Sequence, residues 1–431
     1  MQGCAIVCAI LLFFRLRTQV ANSDVLVNVN VADVVVFVAL SVIVLMVATG
    51  RIRSLFPPFV TVALAVLSTV IAIGLLSPYA QSNLGNWAIY TRGVGWVLML
   101  GYSALGAAMV NVAGNEGRIL ILRALIIAAA TICVLELLKL AWSIFVFPLP
   151  GYVLVIPLQG FANNQNAFCF ELAVTGILLV VGRNLGLYKE KRWLYLAVAA
   201  VLATTIFFTA SRTGAVFVAI LALLDNLFTR KSAGDCTEPS PRITLLTAMA
   251  IAAVIALAYV VNPASLVQSD EASRLLHPTA DIERWETIAG GLRLWLDRPL
   301  FGAGIGAYVE SLRHAGLKMQ GIHSVYIWFL AEMGLVGLAA AVGAGAFIAV
   351  KAWRMMGLRA SRPWGLAIIG VLSFMALGGI VQDFFYQRIF WFVLGLAAAT
   401  TGAENLKETW NDRTFLAVII SFGLIVFVVA I

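Results

Sequence analysis

The sequence predicts an all-α polytopic membrane protein, with about twelve transmembrane helices and one long extramembrane loop carrying short amphipathic helices. Three observations predict it. Hydrophobic residues make up 62% of the 431-residue chain and charged residues 12%, with a mean hydropathy of +0.97. Water-soluble domains are nearer half apolar and a quarter charged. The apolar residues also gather into stretches near the roughly 20 residues that a bilayer core requires. Finally, the only long polar stretch is 263–321.

Taken in order, the candidate spans lie near 2–17, 31–49, 55–76, 88–112, 119–147, 163–182, 193–209, 212–228, 243–262, 322–350, 363–381 and 386–402, with a thirteenth apolar stretch at 414–431. The first is short for a span. It has neither a basic leading region nor a small-residue cleavage site, so it is expected to be retained rather than removed as a signal peptide. The expected division is transmembrane helices over 1–262, a loop over 263–321 and further helices over 322–431. Loops between spans are short. No repeat of 20–50 residues and no low-complexity tract is visible, and Thr229–Arg242 reads as a flexible connector. Within the long loop, Arg284–Pro299 is amphipathic: Trp285, Ile288, Leu292, Trp295 and Leu296 share one face, while Glu286, Arg293 and Asp297 share the other. Such a helix lies in the headgroup plane or forms a lid on the bundle.

Cys4, Cys8, Cys133 and Cys169 fall in apolar stretches, where cysteine acts as a small hydrophobe, and Cys236 stands alone in a polar loop. With no CxxC pair, neither a disulfide framework nor a cysteine metal site is expected. Orientation follows from the short loops. Seventeen Lys and Arg residues, from Arg51 and Arg53 through Lys407 and Arg413, fall on one side. Arg15, Arg17, Arg92, Arg212 and Arg388 fall on the other. The richer side is cytoplasmic, which turns the 263–321 loop outward; in a bacterial cell that face is the periplasm. The net charge of +8 is then a mark of topology, and nothing suggests a nucleic-acid partner.

Several polar groups can carry chemistry. Ser211-Arg212-Thr213-Gly214 separates two apolar runs and reads as a tight outward turn. Arg212 is either an interfacial arginine reaching for headgroups or a ligand for an anion. His323 opens an apolar helix; it is either an ordinary interfacial side chain or a proton acceptor at neutral pH. His277 and His314 lie within the loop, with no adjoining apolar helix to orient them. Gly302-Ala303-Gly304-Ile305-Gly306 has GxGxG rather than GxGxxG spacing and no preceding strand, so it is expected to form a close turn rather than cradle a nucleotide. Asn163-Asn164-Gln165-Asn166 either caps the sixth span or hydrogen-bonds sugar hydroxyls. Glu136, Lys139 and Glu332 are expected to pair inside the bundle, Glu136 with Lys139 at i,i+3.

The order of these features carries a resemblance. G-F-A-N-N-Q-N-A is followed by T-A-S-R-T-G between two spans. Then come R-W-E and D-R-P-L-F-G-A-G in the loop, and H-S-V-Y-I-W-F-L-A-E-M-G-L-V-G after it. This set, from Gln159 to Gly337, resembles the O-antigen ligase and polymerase superfamily of bacterial envelope glycosyltransferases. The resemblance implies a GT-C-like membrane fold with a periplasmic catalytic loop. It also implies transfer of a glycan from undecaprenyl diphosphate to an acceptor hydroxyl, without a metal or other cofactor. Arg212 and Arg284 match the family's diphosphate-handling arginines and His323 its catalytic histidine. Where the family commonly has Asn after that histidine, this chain has Ser324. Arg15, Arg17 and Arg388 are further candidates for the diphosphate. Gln159, just before the first of these motifs, and Asn163, Asn166 and Tyr326 inside them are candidates for the glycan or acceptor.

A ligase, whose acceptor is the lipid A core, is preferred over a polymerase, whose acceptor is another lipid-linked repeat, because one outer loop dominates. A transporter would be expected to show inverted repeats and broken helices with midplane polar residues. Here the polar residues gather at the outer interface.

Overall fold

The computed structural model describes residues 2–19, 26–52, 55–76, 88–146, 158–162, 164–209, 211, 213–214, 216–222, 224, 278–317 and 320–399. The expected stretches 243–262 and 414–431, together with Arg212 and Asn163, lie outside them. The chain divides into two compact units, Met1–Ile121 with Ile282–Ile431, and Leu122–Asp281.

The first unit opens with α1 (Gln2–Leu11), followed by an antiparallel hairpin of β1 (Arg15–Gln19) and β2 (Leu26–Asn30) with Arg15 opposite Asn30. This corrects one expectation: stretch 2–17 is not one helix, since a short hairpin follows α1 in an otherwise helical protein. Ten helical residues cover only about 15 Å. The chain then turns into Arg-Leu-Arg-Thr-Gln, whose polar residues every second position suit a strand. Asn30 ends the hairpin and starts α2 (Val31–Ala48): its side chain accepts from Ala32 N, its own N–H donates to Asp33 Oδ2, and its Nδ2 donates to Leu12 O. That capping box satisfies donors that a helix start would otherwise leave bare in an apolar setting.

Next come α3 (Pro58–Leu75), which has proline in its first turn, and a π-helical turn at Ala88–Gly93. The latter runs into α4 (Val94–Val146). The helix α4 holds both expected spans 88–112 and 119–147. They are joined across Gly114, whose φ of 62° and ψ of −154° break the helix. After the loop helix α7 (Pro278–Asp297) and the short α8 (Ala307–His314) come α9 (Val325–Met355), α10 (Arg362–Gly378) and α11 (Arg388–Ala398). Among the described residues, five helices are long and apolar enough to cross a membrane, and three shorter apolar ones accompany them. Large apolar side chains face outward along α2 (Val34, Phe37, Val38, Leu45) and α9 (Val342, Phe347, Val350). Surfaces of that kind need a hydrocarbon solvent. The chain is a membrane protein.

The helix α9 is the spine of the first unit, packed on both α3 and α10, and it is broken. Gly334 has φ 68° and ψ −167°, so the carbonyls of Ala331 and Glu332 and the N–H groups of Leu335 and Val336 lose their helical partners. The loop after α7 replaces them. Ala303 N donates to Ala331 O and Gly304 N to Glu332 O, both at 2.9 Å. Leu335 N donates to Pro299 O at 2.9 Å and Val336 N to Leu300 O at 3.1 Å. The glycine run makes the close turn expected of it, with Gly302 (φ 70°) lying flush against the Glu332–Met333 backbone where a Cβ would collide. Ile305 N also donates to Gly74 O, which ties the loop to the end of α3.

The break bends α9. Gly365 of α10 abuts Ala352, and Gly379 abuts Val325. The α10 segment between those contacts is fourteen residues, roughly 21 Å. Leu335–Ala352 alone covers at least that length, so the leading half, Val325–Gly334, turns aside and adds little along the axis of α10. Elsewhere α11 crosses α4 at Gly106 and Gly395, where only glycine admits the opposing backbone, and Ser103 Oγ donates to Trp391 O.

In the second unit, α5 (Gln165–Asn184) packs on α6 (Arg192–Phe208). Phe170 meets Phe217 edge-on, and Arg183 lies over the Tyr195 ring. Lys139 and Glu136 pair at 3.7 Å as their spacing predicts, but Lys139 is exposed rather than inside the bundle.

Candidate functional site

In the first unit the site is built where α7 docks beside the start of α9. The helix α7 approaches through its small residues. Gly290 lies against the Tyr308 ring and Gly291 against Ile322 and Ile327, leaving no room for a side chain at either position. Thr287 is fully buried between them and His323: its Oγ donates to Arg284 O and accepts from the backbone N–H of His323 at 3.3 Å. One helical turn away, Arg284 is half-buried beside the imidazole. Thr287 thus ties the backbones of Arg284 and His323, two residues singled out from the sequence, to one side chain.

His323 is half-buried. Burial first, and the Arg284 guanidinium second, hold its imidazole below the ordinary histidine value. The carboxylates of Asp383 and Glu283 oppose that shift. Such a shift favours the neutral ring, the form that can accept a proton. Ser324 caps α9 through Ile327 N and reaches Gly379 O, while Val325 N donates to the same carbonyl at 2.8 Å. Serine and asparagine are comparable helix caps, so the departure at Ser324 keeps the histidine in place.

Behind the histidine lies a cluster that the sequence did not announce. The π-helical turn presents Arg92, buried, with Nη1 2.7 Å from Asp383 Oδ2. Its guanidinium lies 4.6 Å from the Trp328 ring centre and 4.9 Å from that of Tyr386, whose hydroxyl donates to Arg92 O. Arg92 Nη2 comes within 3.7 Å of where a Cβ on Gly321 would stand. Glu332, buried one turn beyond Trp328, accepts from the Trp328 indole at 2.6 Å and from the amides of Gly306 and Tyr308. Arg92 and Asp383 are 291 residues apart, and nothing local joins them. The available signal is that Asp383 is the single acid between Glu332 and Glu404.

Other expected site residues stand differently. Arg388, buried at the start of α11, forms a fork on Asp33, with Nε and Nη2 each 2.7 Å from a carboxylate oxygen, and Tyr102 also donates to Asp33. Arg15 donates to Gln387 beside it. Arg388 lies five residues along the chain from Asp383, and its guanidinium is already engaged by Asp33. Tyr326 donates to Ala376 O on α10. The side chain of Arg17 lies outside the described residues.

In the second unit two motifs meet. Asn164 caps α5, accepting from Asn166 N and Ala167 N. Ser211 Oγ donates to Asn166 Oδ1 at 2.8 Å and also lies 2.8 Å from Thr213 Oγ1. A Cβ on Gly214 would press on Cys169 and Ile206. The S-R-T-G turn is thus fastened to the helix that N-N-Q-N-A opens. Gln159 is exposed, with its carbonyl accepting from Ala162 N.

No curated protein shows significant similarity to the chain. A family model described as O-antigen ligase matches residues 197–342, a range that includes Arg212, Arg284, His323 and Tyr326. Over those residues the chain is similar to the O-antigen ligase family, which agrees with the superfamily that its motifs resemble.

Proposed function

We propose that this protein is a membrane glycosyltransferase of the ligase type. It would move a glycan from undecaprenyl diphosphate to a sugar hydroxyl of a lipid A core, at the periplasmic face of a bacterial inner membrane. The observation that carries the proposal is that His323 and Arg284, both inside the O-antigen ligase match, are tied through Thr287 to one place at the start of α9. A proton acceptor kept neutral beside a fixed cation is what such a transfer demands.

In the proposed step the acceptor hydroxyl oxygen attacks the anomeric carbon. The bond from that carbon to the diphosphate oxygen breaks, its electron pair staying on the diphosphate. The hydroxyl proton passes to the imidazole of His323. Charge grows on the leaving diphosphate, and Arg284, with Arg212, stabilises it through bidentate contacts. A single displacement of this kind inverts the anomeric centre. Arg15 and Arg17 are the remaining candidates for a diphosphate contact, and Gln159, Asn163, Asn166 and Tyr326 for the glycan.

The test uses the purified full-length protein with lipid-linked glycan donor and two acceptors in separate reactions. Transfer to lipid A core supports the ligase; elongation of lipid-linked repeats without it makes the protein a polymerase. His323→Ala is expected to slow either reaction by about 10²–10⁴-fold. A variant that transfers at the wild-type rate would sink the general-base role.

A further inference from the structure

The helix α7 has three faces, and only one of them is covered. Thr287 and Gly291 face the bundle. Glu286, Arg293 and Asp297 are exposed and polar. Between these runs a stripe at i, i+4, i+7 and i+11: Trp285, Ala289, Leu292 and Leu296. Trp285 is 70% and Leu296 66% exposed. The sequence-derived apolar face is therefore not the docking face. Glycines and a threonine make the contact, and the large apolar side chains point away from it.

The stripe does not end with the helix. Leu300 is 59% and Phe301 69% exposed at the tip of the loop, and that loop is spliced into α9 beside Leu335 and Val336, both 45% exposed. From Leu335 onward α9 continues as an apolar helix with outward-facing Val342, Phe347 and Val350. The stripe is thus continuous with a surface whose solvent is hydrocarbon. Leading half-helix Val325–Gly334 turns aside at that same level, so α7 runs beside a segment that no longer follows the span. Arg293 and Arg298 are exposed along the stripe's polar border, placed to meet lipid phosphates while the tryptophan occupies the interface.

We propose that α7 and its following loop form a membrane-surface anchor. Trp285, Leu296, Leu300 and Phe301 would enter the boundary between headgroups and acyl chains, seating Arg284 and His323 at phosphate depth. The partner is the lipid leaflet itself. Its presence there does not depend on whether the chain transfers a glycan, because the readout below is lipid contact alone.

The experiment reconstitutes the full chain in vesicles of phosphatidylcholine and phosphatidylglycerol, with or without bromine on the shallow acyl carbons. The fluorescence of Trp285 is taken as wild type minus Trp285→Phe. Phe301→Trp supplies a second reporter at the loop tip, independent of the first variant. Both signals should be largely lost in brominated vesicles and insensitive to aqueous iodide. Quenching by iodide with indifference to bromolipid would place the stripe in water and overturn the proposal. Protection from both quenchers would mean that a protein surface covers it, which overturns the proposal equally.

Discussion

His323 stands between competing charges: Arg284 pushes its proton off, while Asp383 and Glu283 hold it on. The signs give a pH signature. If the neutral imidazole is the working form, activity persists below the ordinary histidine value and is lost as pH falls through the lowered one. Arg284→Gln removes a positive charge that lowers the value, so the acidic limb of kcat/KM should move to higher pH. Asp383→Asn removes a negative charge that raises it, so the limb should move to lower pH. The position of the limb is the readout, separate from the height of the curve; coincident limbs in all three proteins would refute the coupling. At this scale the sequence was half legible. Arg284 and His323 were visible because each sits in an ordered motif. Arg92 and Asp383 were not, since their pairing is made by a π-helical turn and a loop at opposite ends of the chain. Arg388 looked like a cation awaiting an anion, and the anion it meets is Asp33 of α2.

Elements that bury whole apolar faces were legible from hydropathy, and α2, α3, α5, α6, α9 and α10 begin within three residues of the stretches that predict them. Hydropathy fails where the backbone rather than the side chain decides. It joined α1 to the strand that follows it, and it gave no warning that α9 breaks at Gly334 or that α7 docks by its glycines. The splice between the Pro299–Ile305 loop and α9 gives a sharp prediction. A Cβ at position 302 meets main chain, in a backbone region that costs an ordinary residue about 1–2 kcal/mol before any collision. Gly302→Ala should therefore lower the thermal midpoint in detergent micelles by several degrees. Gly343→Ala, with open space around it in the same helix, should leave it unchanged or raise it slightly. Equal midpoints for the two variants would count against the splice.

Across the whole first unit, one ion pair joins three distant pieces of chain: Asp33 from α2, Tyr102 from α4 and Arg388 from α11. Both charges are buried, with side chains 10% and 5% exposed for Arg388 and Asp33. Removing one partner leaves the other uncompensated in a poor solvent, at about 3–5 kcal/mol. Arg388→Met should destabilise the protein by that order in thermal unfolding, and adding Asp33→Asn should recover part of the loss. A double variant no better than the single one would show that the pair itself is not what matters. The spliced loop has a consequence for traffic. Because α7 is pinned at Thr287 to the histidine's own backbone and at Pro299 and Leu300 to the far side of the bend, it cannot swing open like a lid. Four peptide hydrogen bonds would have to part where little water is at hand to replace them, each costing several kcal/mol. If the proposed transfer takes place at His323, its substrates have to fit beside α7 where that helix stands.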